Sequence, residues 1–179
     1  MSTKRNRIRV FDAFGRALAL LEKEDSCLYT WTRNRISLAH ALAMHLKDII
    51  SKDDKSIAVD LCPVLAKSSR LINPDILVHN RTTGQQYLSI ICRSEYLTEI
   101  EQRNLIELRK NSKCELVLGL SFKPQKNYML IYVTTMDGIE YYHFNRNTQT
   151  LEPVRKRIIQ ESSDTNDQQL ILEKMLQKN

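Results

Sequence analysis

Glycine is scarce in this chain, with four residues in 179, and no glycine-rich phosphate-binding loop is present. The four cysteines, Cys27, Cys62, Cys92 and Cys114, form no CxxC pair and are too dispersed for a zinc signature. Cys92 and Cys114 stand in apolar, strand-like patterns, where a free thiol behaves as a small hydrophobe. A reduced, cytoplasmic setting is therefore expected. No apolar run approaches the length of a membrane span, so no membrane partner is expected. The basic start, Met1-Ser2-Thr3-Lys4-Arg5-Asn6-Arg7, is followed by neither an apolar stretch nor a small-residue cleavage site, and no signal peptide is expected. No serine, histidine and acid arrangement points to acyl transfer, and there is no internal repeat or low-complexity tract.

What is present suits one domain with terminal extensions: 42% hydrophobic and 27% charged residues, enough for a core under an ordinary charged surface. The formal net charge is +6. Positive residues cluster at Lys4, Arg5, Arg7 and Arg9, at Arg103, Arg109, Lys110 and Lys113, and at Arg155, Lys156 and Arg157. Such clusters serve either as contacts to nucleic-acid phosphates or as a solvated surface.

Apolar residues Val10, Phe11, Phe14, Leu18 and Leu21 recur at helical spacing over residues 7–24. A second helix is predicted over 36–50, with the stripe Leu38, Leu42, His45, Leu46 and Ile49. Strand-like runs follow at 57–64, 76–80 and 87–93. A third helix is predicted over 96–111, with Leu97, Ile100, Leu105 and Leu108 on one side. Residues 115–122 read as a buried central strand, and 129–134 and 139–144 as a hairpin around Met136-Asp137-Gly138. A polar linker (161–167) leads to a final helix, 168–178. This order predicts an α/β domain with a mixed central β-sheet flanked by helices. The expected division is an N-terminal helical extension (1–30), an α/β core (31–160), and a linker with a C-terminal helix (161–179).

Asn73-Pro74-Asp75-Ile76-Leu77-Val78-His79, then the Thr82-Thr83-Gly84 turn, then Tyr87-Leu88-Ser89-Ile90-Ile91-Cys92-Arg93, forms a proline-aspartate, strand, turn, strand unit. Upstream stand Asn34-Arg35-Ile36-Ser37-Leu38-Ala39-His40-Ala41-Leu42 and Val59-Asp60-Leu61-Cys62. In order and spacing these stretches resemble the PD-(D/E)XK nuclease superfamily. The resemblance implies a restriction-endonuclease-like core with extra terminal helices. It also shows where the chain departs from the pattern. Arg35 stands where the first core helix carries a glutamate, and Cys62 ends a strand that tends to end in glutamate. Ile91 and Arg93 occupy the glutamate and lysine positions, so that of the four metal-site positions Asp75 alone is kept, although Asn34, Ser37, His40 and Leu42 match the helix motif.

Phosphodiester hydrolysis in that superfamily needs a divalent cation, usually Mg²⁺, which takes one or two carboxylates and activates a water. The pattern Glu, Asp, Glu, Lys carries a charge of −2, whereas Arg35, Asp75, Ile91 and Arg93 carry +1. The side chains of Ser89, Ile91 and Arg93 alternate onto one face, so Ile91 is expected on the site face rather than in the core. The implied reading is a vestigial site (Arg35, Asp75, Ile91, Arg93) with no catalytic residue, no metal and no cofactor. Such a chain would be a catalytically inactive accessory subunit in a larger bacterial complex, bound to a nuclease or ATPase partner and in some settings to DNA, with phage defence as one setting. Two alternatives stand beside it. One is an active Mg²⁺-dependent nuclease using Asp75, Arg93 and a relocated Glu107. The other is a stand-alone DNA-binding module working through Lys4, Arg5, Arg7, Arg35 and Arg93.

Smaller constellations carry their own expectations. His40 and His45 are five apart and do not share a metal-binding face. His79 pairs with Asp75 at a metal or is a hydrogen-bonded structural histidine. Tyr29 and Trp31 flank a basic stretch and either stack on single strands or pack against a helix start. Tyr141-Tyr142-His143 is a candidate interface patch. The terminal helices dock onto a partner or onto their own domain.

Overall fold

A computed structural model of the chain describes residues 3–31, 34–63, 73–136 and 138–154, without the side chains of residues 3–7 and 53. Helix α1 (Thr3–Glu24) leads through a 3-10 turn (Ser26–Thr30) into α2 (Arg35–Asp53). Strands β1 (Ile57–Leu61), β2 (Ile76–Asn80) and β3 (Gln86–Arg93) precede α3 (Glu99–Asn111). Then follow β4 (Leu116–Ser121), β5 (Tyr128–Thr134), β6 (Ile139–Asn145) and β7 (Thr150–Pro153). The strands form one seven-stranded sheet in sequence order. β3 and β4 pair in parallel, with α3 as the crossover, and all other neighbours pair antiparallel. The domain is thus α/β, a mixed sheet with helices on both faces.

Side-chain alternation assigns the faces. Leu88, Ile90 and Cys92 of β3, with Leu116, Leu118 and Leu120 of β4, pack under α1 and α2. Ile91 of β3 and Val117 of β4 pack under α3, with Leu97, Leu105 and Leu108. Covered on both sides, β4 is buried at every position, as its unbroken apolar run predicts. Gly119 lets α3 come close: a β-carbon there would stand 2.7 Å from Leu97 Cδ2 and 2.8 Å from Leu105 Cδ1.

The third helix begins later than its apolar pattern suggests. Thr98 caps it, and Glu101 closes a capping box, a start signal written in the Thr-Glu-Ile-Glu tetrad that the apolar reading passed over. Ile100, expected on the apolar stripe, is 68% exposed. The short edge strand β7 was not foreseen, because four residues ending in a proline give little periodicity.

α1 is integral to the core, burying Phe14, Ala17, Leu18 and Leu21 with the residues of α2 and the sheet. A polar clamp fixes it there. Arg146 Nη1 pairs with Glu22 Oε2 at 3.1 Å, its Nη2 donates to the Phe122 carbonyl at 2.5 Å, and its guanidinium lies 3.9 Å from the Tyr29 ring centre. Burial, only partly offset by Arg146, pushes the Tyr29 phenol well above its ordinary pKa. Arg146→Ala orphans Glu22 and a buried carbonyl, and a loss of about 1.5–3 kcal/mol in urea unfolding is expected. Tyr29 is thus engaged within the fold, whereas Trp31 is exposed.

The Tyr141-Tyr142-His143 patch is largely claimed by its own domain. The Tyr141 hydroxyl donates to Gln102 Oε1 at 3.0 Å, Tyr142 meets Phe11 edge-on at 5.4 Å, and His143 lies 4.6 Å from the Tyr128 ring. The helix expected at 168–178, the linker at 161–167 and the basic 155–157 run lie outside the described residues.

Candidate functional site: the Asp75 ion-pair cluster

Asp75 lies just before β2, beside the end of β3, and its backbone N–H donates to the Ile90 carbonyl at 2.8 Å. This is the carboxyl end of the parallel β3–β4 pair, where open α/β sheets commonly place ligands. The start of α2 brings in Arg35, and the end of β3 brings in Arg93.

Both oxygens of Asp75 are engaged. Oδ1 accepts from Arg35 Nη1 at 2.6 Å. Oδ2 accepts from the Cys92 backbone N–H at 2.7 Å and stands 3.5 Å from Arg93 Nη1. Arg93 is held in turn: its Nη1 donates to the Cys92 carbonyl at 2.7 Å, and its Nε donates to Glu101 Oε1 at 2.5 Å. The other oxygen of Glu101 accepts from the Thr98 backbone N–H at 2.9 Å and hydroxyl at 3.0 Å. The capping-box glutamate of α3 is therefore also the second carboxylate of the cluster. Asn34, 5% exposed, braces the start of α2, donating to the Tyr29 carbonyl at 3.2 Å and accepting from the Ser94 hydroxyl at 3.4 Å.

Two expectations change. Ile91 is not a bare position on a site face: it is 1% exposed and belongs to the apolar layer under α3. It shares its face with Arg93, but α3 covers that face. The local charge also changes. With Glu101 included, Arg35, Asp75, Arg93 and Glu101 balance to zero, where the sequence count without Glu101 came to +1. Glu107, the predicted relocated acid, is exposed on α3, about 9 Å further along the helix than Glu101 at 1.5 Å per residue. The acid that α3 brings to Arg93 is Glu101, and its signal was the capping box.

Burial raises the Glu101 pKa, but Arg93 and the Thr98 hydrogen bonds outweigh it, and the carboxyl titrates below its ordinary value. Asp60 behaves alike: the Arg81 hydrogen bond lowers it most, against partial burial, with help from His79. Both folded pKa values are depressed, so their stabilisation is present above the unfolded values near 4 and is lost as pH falls through the folded values. Unfolding midpoints should hold down to about pH 5 and then fall, and the fall should be shallower in Glu101→Gln.

The remaining predicted residues do not converge here. His79 Nε2 bonds Asp60 Oδ2 at 2.7 Å, and Arg81 holds the other oxygen, so His79 is a structural partner of Asp60 and not of Asp75. His45 pairs with Asp25 at 2.7 Å, and His40 is exposed. Lys4, Arg5 and Arg7 stand on the first turns of α1. Asp54, after the end of α2, is held below its ordinary value chiefly by Ser56 hydrogen bonds. Arg35 opens α2, which at 1.5 Å per residue is about 28 Å long. The predicted nucleic-acid set is therefore spread over the first turns of α1, the start of α2 and the end of β3.

The donor set does not fit Mg²⁺. Asp75 has no free oxygen, its neighbours are guanidinium groups, and among the described residues no group of three His, Cys, Asp or Glu side chains could hold a metal. No described helix is long and apolar enough to cross a membrane. Compared with family models, curated proteins and solved structures, the chain matched none.

Proposed function

We propose that the chain is a catalytically inactive, nuclease-like accessory subunit that binds a partner protein in a larger complex. The observation that carries this reading is Asp75, the one acid kept at the metal-site positions of the PD-(D/E)XK pattern, with both oxygens spent on Arg35, Arg93 and a backbone N–H. A metal at that point would have to displace two cations. The cluster instead joins α2, β2, β3 and α3, and its role is to hold a scaffold. DNA contact and a place in phage defence belong to this proposal as extensions of the family resemblance, and a cytoplasmic setting belongs to it as an extension of the free cysteines.

Glu101 favours a second reading, in which Asp75 and Glu101 form the acidic pair of an active nuclease. That reading needs Arg93 to release both carboxylates. The test is paired. Purification of the tagged full chain from its native cells should yield a stoichiometric protein partner. Supercoiled plasmid with Mg²⁺ or Mn²⁺ should stay intact. Cleavage that Asp75→Asn and Glu101→Gln each abolish would establish the second reading instead, and a chain that purifies alone would remove the accessory role.

A further inference from the structure

Among the described residues, Trp31, Ile36 and Met44 are exposed large apolar side chains (56%, 65% and 45%) on or beside α2. Ile36, His40 and Met44 recur every four residues, so they share one helix face. Trp31 and Met44 line a cleft of about 470 Å³ together with Leu28 and Ala41, and Glu24 and Asp25 line it as well. The two carboxylates stand at the end of α1, where the helix dipole also favours cations. No lysine or arginine appears among the described lining residues, although the chain carries +6 overall. Asp25 is partly spent on His45, while Glu24 is exposed and, among the described residues, makes no ion pair.

We propose that this cleft receives an amphipathic helical segment of the partner protein, with an apolar face on Trp31 and Met44 and a lysine or arginine directed at Glu24. The inference rests on the accessory-subunit reading and names its docking surface. An acidic rim on a basic chain selects a cationic segment by charge. The four-residue spacing on α2 matches a helix laid along it, and tryptophan is the side chain most enriched at interface hot spots.

Trp31 is the single tryptophan of the chain, so its emission reports on the cleft directly. The probe is a synthetic amphipathic helix with leucines at i, i+3, i+4 and i+7 flanked by lysines, set against the same peptide with glutamates for lysines. The lysine peptide should blue-shift Trp31 emission saturably, and the glutamate peptide should bind at least about tenfold more weakly. Met44→Asp and Glu24→Lys, both at exposed positions, should each weaken the lysine peptide about tenfold with unchanged melting. Equal affinity for the two peptides, no saturable shift, or indifference to Met44→Asp would overturn the proposal. The same variants separate it from the broader reading. If the native partner still co-purifies with both, the cleft is wrong and the accessory role stands. If no partner co-purifies with the wild type, the accessory role itself fails.

Discussion

Ile91→Glu is expected to unfold the domain rather than to create a metal site. A test of the proposed nuclease resemblance would begin with this substitution, because glutamate is what the nuclease pattern has at that position. Ile91 is 1% exposed and packs with Leu97, Leu105, Leu108 and Tyr132. A carboxylate there meets no cation, since Arg93 is already committed to Glu101 and Asp75. Burying a polar group without partners costs about 2–7 kcal/mol even before charge is counted, which rivals the whole stability of an ordinary domain. Far-ultraviolet circular dichroism and urea titration of Ile91→Glu should show a chain that is unfolded or melts without cooperativity. Ile91→Val, which keeps the shape, should cost only about 0.5–1.5 kcal/mol. A folded Ile91→Glu with near-native stability would mean that the layer under α3 is open to solvent.

Asp75→Ala should cost about 3 kcal/mol, the low end for breaking a buried pair, because the Arg35 partner is about one-third exposed. The loss comes from what is left behind: two guanidinium groups and the Cys92 N–H without their acceptor. Asp75→Asn should lose less, since an amide oxygen still accepts. The Asp75→Ala, Arg35→Ala double variant should lose less than the sum of the two single losses, because each single change strands a charge. A catalytic carboxylate would behave otherwise, its removal costing activity while leaving stability unchanged or improved. Chemical denaturation of the four proteins in the cycle decides this.

Much of the architecture was legible because it depends on periodicity. The run at 115–122 predicted a buried strand and residues 87–93 a strand, and both lie where expected, with the α3 crossover making the pair parallel. β7 was illegible because an edge strand of four residues has no pattern to read. Within the site, the sequence named Asp75, Arg35 and Arg93 as neighbours, and they are neighbours. It could not supply Glu101, because that residue joins through helix capping, a local signal that an apolar-stripe reading does not weigh. Nor could strand alternation alone decide whether the Ile91 face is open or covered, since that depends on where α3 lies.

The most direct measurement is Mn²⁺ binding to the wild-type chain and to Asp75→Asn, followed by electron paramagnetic resonance of the free ion. If the Asp75 carboxylate is spent on arginines, the two proteins bind Mn²⁺ alike and only weakly, with no site tighter than the millimolar range. A stoichiometric micromolar site in the wild type that disappears in Asp75→Asn would contradict the ion-pair assignment and make Asp75 a metal ligand.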